Sequence, residues 1–305
     1  MKFFNLSFIF SIIVIFSFGQ AQDIIPFTDF NTSYGSWDIY ATGGVTWVAD
    51  PSGTGKVLKA DGNDATQLYP NAGGVGLHNG LRAIFNTGAL TLPLSGIFTD
   101  EVWIYVEGIA KKSNYANDEF LNSYSPVGFT EKGTTYAWGC YDVCVYERTY
   151  NGVNVNDFQH KGIVVTVING RDAANLERNE LVYWGTTGFL NTVNGFSPRI
   201  YLEANKWYHI VTVVDIDQDN ATVYVNPGQA DEKMGSVFAF ADATGMQAGA
   251  QRDRWIGVYG GKPGVSINFD EITAYLGDYN PSHHVRSHTV GVKSNSWANI
   301  KNLYR

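Results

Sequence analysis

Basic charge is scarce in this chain. Its 305 residues carry 21 Lys and Arg against 29 Asp and Glu, a formal net charge of −8 and a pI near 5.2. That balance excludes general nucleic-acid binding, which needs a basic face. It also gives no long-range attraction for a polyanion, so an acidic ligand must be met by a local group of cations. Cysteine is scarcer still: Cys140 and Cys144 are the only two. Two cysteines exclude a disulfide-dense scaffold. They permit one bridge closing a short loop, and no His or second Cys pair follows at zinc spacing. Long apolar runs are missing apart from Phe8 to Phe16, which is too short to span a bilayer comfortably. Helical periodicity is nearly absent, with short candidates only at Ala116–Leu121 and at Ser296–Arg305.

What the chain does contain is aromatic and glycine-rich: 14% Phe, Trp and Tyr, and 33 glycines. Few charges with many aromatics suit an exported β-protein that handles sugars. Lys2, the apolar run and the small residues Gly19 and Ala21 have the order of a secretory signal peptide cut after Ala21. Residues 1–21 are therefore expected to be removed and the protein secreted and soluble. The remaining roughly 280 residues fit one large all-β domain, assigned to 22–280, and 281–305 is expected to be a C-terminal strap or linker.

Short apolar stretches broken by turns recur along the chain. Strands are expected at Thr28–Phe30, Trp37–Tyr40, Val45–Val48, Val57–Ala60, Leu77–Asn86, Glu101–Val106, Tyr136–Tyr150, Leu181–Trp184 and Arg199–Leu202. Residues 108–135 are polar, contain Pro126, and are read as a long loop. Trp207–Ile216 and Ala221–Asn226, joined by the polar Asp217–Asn220, form the clearest hairpin. Arg254–Tyr259 and Ile267–Leu276 follow, separated by a Gly-rich turn. Many short strands at this spacing predict an all-β sandwich or jelly roll of two antiparallel sheets with a concave cleft. The tail groups His283, His284 and His288.

Asp157–Thr166 also reads as a strand, and it carries the chemistry. Its second half is Val/Ile-rich, whereas Gln159, His160 and Lys161 open it. Side chains alternate along a strand, so Gln159 and Lys161 share a face and His160 takes the other. A Gln beside a Lys suits a polar ligand with an acidic group.

The hairpin Trp207–Asn226 and the closing Phe269-Asp270-Glu271-Ile272 resemble the concanavalin/laminin-G type of jelly roll, over roughly residues 24–280. That likeness is specific for fold, which hosts lectins, glycosidases and lyases alike. Gln159-His160-Lys161, His78 to Arg82, and Arg254 to Tyr259 resemble three strands that line the cleft of alginate-lyase-like jelly rolls. Lys161 stands at the histidine position of that pattern, and a Glu and an Arg of it are missing. With these departures and the export signal, the chain is similar to the ulvan lyases of marine bacteria. The resemblance implies β-elimination at uronic acid residues of a sulfated algal polysaccharide.

Elimination needs a neutralised carboxylate, a base for the C5 proton and an acid for the O4 leaving group. On this reading Arg82 and Gln159 bind the carboxylate, with His78 assisting on the same face. Lys161 is the candidate base. Since a free Lys has a pKa of about 10.4, it needs burial or a neighbouring cation to lose its proton. Tyr259 is the candidate acid, or serves as both acid and base while Lys161 holds the carboxylate. Tyr279 competes for that role. The plain readings stand beside these: a strand Lys as a solvated face, Tyr259 as a packed aromatic, Arg82 in a structural ion pair, and His160 and His209 as core histidines. The resemblance also implies a structural Ca²⁺ held by Asp29, Asn31 and Asp270, whereas the elimination itself needs no cofactor. The expected partner is an acidic polysaccharide, ulvan first, with no nucleic acid and no membrane, and the chain acts as a monomer. The alternative function is a non-catalytic, lectin-like carbohydrate-binding module. A glycoside hydrolase ranks last, because no strand offers the paired carboxylates it needs.

Overall fold

The computed structural model describes residues 21–40, 45–62, 82–91, 93, 95–111, 122–131, 149–150, 153–154, 162–184, 200–218, 220–234, 238–239, 251–260, 264–284 and 288. Among these residues all regular structure is strand. A nine-stranded sheet has the order β15 (Lys233–Met234), β14 (Asn220–Val225), β13 (Trp207–Asp215), β6 (Ile97–Val106), β18 (Ser266–Leu276), β4 (Lys56–Asp61), β3 (Val45–Ala49). In the same sheet β1 (Asp23–Thr28) pairs with β18, and β16 (Phe238–Ala239) pairs with β14. A seven-stranded sheet has the order β12 (Ile200–Leu202), β11 (Glu177–Trp184), β10 (Gly162–Arg171), β7 (Asn122–Glu131), β17 (Gln251–Gly260), β5 (Arg82–Thr91), β2 (Trp37–Tyr40). Among the described residues, the short β8 (Thr149–Tyr150) and β9 (Val153–Asn154) pair with each other and with no third strand. Neighbouring strands run antiparallel. The chain is an all-β sandwich of two antiparallel sheets.

Period-two alternation builds the core. Phe98, Val102 and Ile104 of β6, Ile210 and Val214 of β13, and Ile267, Phe269, Ile272 and Ala274 of β18 join one buried cluster. Val165 and Val167 of β10, Leu181 of β11 and Ile256 of β17 enter it from the other sheet. The sheets are therefore packed face to face through alternating apolar residues. β6, β13 and β18 are buried along almost their whole length, on both faces. A strand covered on both faces needs something on its outer side, and residues 279–284 and 288 supply it.

The greatest departure from the sequence reading is β7. Residues 108–135 read as a loop, yet Asn122–Glu131 is a ten-residue strand between β10 and β17. Pro126 hides it, since Pro has no N–H for a ladder and argues against a central strand. The register shows how the strand tolerates it. Against β10 the pairing steps from Val165↔Val127 to Val167↔Tyr124, and against β17 from Trp255↔Gly128 to Gly257↔Ser125. Pro126 thus falls inside a bulge on both sides, where no ladder bond is asked of it. β10, from Gly162 to Arg171, contains the second half of the strand expected at Asp157–Thr166, and residues 157–161 lie outside the described residues. The strand ending at Asn86 is β5, which runs on to Thr91. Residues 136–148 with both cysteines, the two expected short helices and residues 1–20 of the expected signal peptide 1–21 lie outside the described residues.

Candidate functional site

The strands singled out for chemistry share one sheet: β5, β17 and β10 lie in the seven-stranded layer, with β7 between β17 and β10. Arg82 opens β5 and pairs with Gly257, two residues before Tyr259 on β17. Arg82 and Tyr259 thus occupy the same end of adjacent strands. Tyr259 pairs across β7 with Ser123, whereas Gly162, the residue after Lys161, pairs with Thr130. Ser123 and Thr130 are seven residues apart on β7, which at ~3.3 Å per residue puts Gly162 and Tyr259 about 23 Å apart along the sheet. Lys161, Gln159 and His78 lie outside the described residues.

Tyr279 is on the other layer. Its ring centroid is 6.0 Å from that of His209, and His209 stacks on Trp103 of β6 at 4.9 Å. These rings belong to the outer side of the nine-stranded sheet, under the segment that follows β18. There Tyr275 donates to Glu101 Oε1 at 2.6 Å, His209 Nε2 lies 2.8 Å from Glu101 Oε2, and the Asn280 N–H donates to Tyr275 Oη at 2.9 Å. His209 is buried, as a core histidine should be, but it is tied to a buried carboxylate rather than packed in hydrocarbon.

Asp270 has neighbours that the sequence does not reveal. The β18–β6 ladder steps from Asp270↔Trp103 to Thr273↔Glu101, with Glu271 at φ 46°. This bulge aligns Asp270 with His288, whose Nε2 is 2.6 Å from Asp270 Oδ2 and 3.9 Å from Asp50 Oδ2. The His288 N–H donates to Glu271 Oε1 at 3.2 Å, and its ring stacks on Trp207 at 4.1 Å. Burial pushes the Asp270 carboxyl up to about 7, against the pull of His288. Burial disfavours the His288 cation, but the Asp270 hydrogen bond and the charges of Asp270, Glu271 and Asp50 outweigh it and raise its pKa.

Asp29 and Asn31 serve turns nearby. Asp29 Oδ1 accepts the Asn31 N–H at 3.1 Å, and Asn31 Oδ1 accepts the Lys56 N–H at 3.2 Å. Gly55, at φ +97°, lets the loop pass this amide, because a Cβ there would collide with Asn31 Oδ1. The same loop carries Asp50, whose Oδ1 accepts from Ser52 N–H and Oγ at 2.6 and 2.7 Å. Two buried carboxylates suit a hard cation, but the third convergent donor is an imidazole, which calcium does not favour. In the sequence Asp50 belongs to a turn and His288 to a tail cluster, so nothing linear joins either to Asp270.

No protein-family profile matches the chain, and no curated protein matches it. Solved structures similar to it include lectin II from Ulex europaeus, at 8% identity and TM-score 0.44 over 79% of this chain and 92% of that one. A lectin from Bauhinia forficata in complex with GalNAc matches at 11% identity and TM-score 0.46, over 83% and 98%. The binding domain of Paraclostridial Mosquitocidal Protein 1 matches at 14% identity and TM-score 0.42 over 85% of this chain, and the chain spans 50% of that domain's length. The sandwich assignment rests on the strand pairing described above.

Proposed function

We propose that this protein is an exported carbohydrate-binding β-sandwich whose ligand is a uronate-bearing polysaccharide, ulvan being the first candidate, held on the seven-stranded sheet. The observation that supports this is the division of labour between the sheets. The central strands of the nine-stranded sheet are covered on their outer side, whereas β5 and β17, which bear Arg82 and Tyr259, are both in the other. A chain of net charge −8 needs local cations to meet a polyanion, and Arg82 is the first of these. The structural Ca²⁺ expected at Asp29, Asn31 and Asp270 is left out of this proposal, because Asp270 faces the His288 imidazole at 2.6 Å, a donor that calcium does not favour.

A second reading makes the protein an ulvan lyase, and one observation favours it: Arg82 and Tyr259 occupy the same end of neighbouring strands. Arg82 would neutralise the uronate carboxylate by charge-assisted hydrogen bonds. As the phenolate, Tyr259 would take the C5 proton and pass it to the departing O4, which returns the phenolate and needs no second base. The test is retention on immobilised ulvan, alginate and glucuronan, combined with the ultraviolet absorbance of the unsaturated uronate product. Retention without absorbance supports the binding module. Rising absorbance supports the lyase. Neither response with any of the three glycans overturns both.

A further inference from the structure

At the edge of the covered face, three side chains from the two ends of the domain converge. His283 Nε2 lies 2.7 Å from Asp23 Oδ1, and His284 Nε2 lies 3.3 Å from the same oxygen. The three donor atoms are all within 4.8 Å of one another. We propose that Asp23, His283 and His284 form a zinc site that staples the first strand to the segment following the last.

The geometry is near what zinc needs. Two donors of a tetrahedral zinc, each at ~2.0–2.1 Å, stand about 3.3 Å apart. The His284–Asp23 separation, 3.3 Å, already has that value, and the His283–Asp23 pair, at 2.7 Å, has to open by about 0.6 Å. The rings are held in place from both sides. His283 packs on Tyr275 of β18 at 4.0 Å, and His284 stacks on Phe27 of β1 at 4.8 Å and 22°. The turn is fixed as well, by the His283 N–H to Asn280 O at 3.0 Å and the Ser282 N–H to Asn280 Oδ1 at 2.9 Å. Rings locked by packing keep donors aimed before a metal arrives.

The donor set selects the metal class. Two imidazoles and one carboxylate suit zinc and its first-row neighbours, whereas calcium and magnesium take oxygen. Zinc requires neutral imidazole. Exposure is graded, from 5% for the His283 side chain through 18% for His284 to 32% for Asp23. Three protein ligands with an opening on the Asp23 side leave a fourth position for water. Thr273 Oγ1 lies 3.3 Å from His284 Nε2 and donates to Ile25 O at 2.9 Å, which adds a hydroxyl beside the site and a further tie to β1.

The experiment strips the untagged chain with a chelator, restores zinc alone, removes the excess and counts bound metal. One zinc per chain is expected at this site, with a rise in Tm of roughly 5 °C at zinc about 100-fold above Kd. Cobalt in its place should give the visible absorption of a four-coordinate site. The double variant His283→Ala/His284→Ala should lose the metal and the Tm response. Asp23→Asn, which changes one partly exposed side chain, should weaken zinc binding by roughly 100-fold or more, since even outer-shell losses reach that size. The double variant Asp50→Asn/His288→Ala, at the neighbouring cluster, should keep it. No retained zinc, or zinc held equally by the His283/His284 variant, overturns the proposal. So does zinc lost only with Asp50 and His288.

Discussion

Asp100 of β6 and Arg254 of β17 form a two-point ion pair between the sheets: Nε to Oδ1 at 2.8 Å and Nη2 to Oδ2 at 2.9 Å, both side chains fully buried. It is the polar bolt of an apolar interface. Removing one partner strands a buried charge, so Arg254→Met is expected to cost about 3–5 kcal/mol, and the double variant Arg254→Met/Asp100→Leu to recover most of that. Urea unfolding of the wild type and the two variants at neutral pH measures both.

The same pair sets a pH dependence. Burial raises Asp100 from 3.8 to about 6, against Arg254. Between these values the folded chain binds more proton than the unfolded chain. The contribution of this group is therefore greatest below about 4 and is lost as pH rises through about 6. Arg254→Met removes the opposing cation and should shift this loss to higher pH. Unfolding free energies from pH 4 to 8, wild type against variant, read the displacement directly.

Tyr275 holds the covering segment down. Its hydroxyl donates to Glu101 and accepts from the Asn280 N–H, at 2.6 and 2.9 Å. Tyr275→Phe removes both bonds within a buried network. The expected cost is about 1–3 kcal/mol, or a Tm fall of roughly 2–4 °C per kcal/mol for a domain of this size. An unchanged Tm would mean that the segment is held by its aromatic contacts alone.

The architecture was largely legible in the sequence because alternation, β-branched runs and turn residues are local signals. The hairpin expected at Trp207–Asn226 is β13 and β14, and the closing strand expected at Ile267–Leu276 is β18 to within a residue. β7 was not legible, because Pro126 and a polar composition mimic a loop, and only the paired bulges reveal how the sheet absorbs them. The Asp270 cluster was hidden for another reason. Asp50, Asp270 and His288 meet only once β18 is bulged and the tail is folded back. Register was the third illegible quantity: no local signal encodes the distance along β7 between Gly162 and Tyr259.

Asp270, one of the three expected calcium ligands, and Asp50 beside it offer a direct test of the calcium expectation. If these carboxylates hold Ca²⁺, millimolar calcium should raise Tm and chelation should lower it. Asp50→Asn should abolish the response while leaving the fold intact, since Ser52 can still bond to the remaining side-chain oxygen. A Tm insensitive to calcium in the wild type removes the ion from this site and leaves His288 as the partner of both carboxylates.

The uronate reading turns on Tyr259 and Arg82 acting together. Tyr259→Phe keeps the ring and deletes only the proton carrier, so turnover on ulvan should fall roughly 100-fold or more, the usual size of a general acid–base contribution, with retention little changed. Arg82→Ala should instead weaken retention, because a charge-assisted hydrogen bond is worth about 1.5–3 kcal/mol, roughly ten- to a hundredfold in Kd. Lys161→Ala discriminates between versions of the mechanism. On the lyase reading, with the β7 partners of Gly162 and Tyr259 near opposite ends of that strand, Tyr259 would have to serve as its own base, and the Lys161 variant should retain turnover to within about tenfold. A loss as deep as that of Tyr259→Phe would restore Lys161 as the base and would require that β10 and β17 approach each other other than through the β7 register.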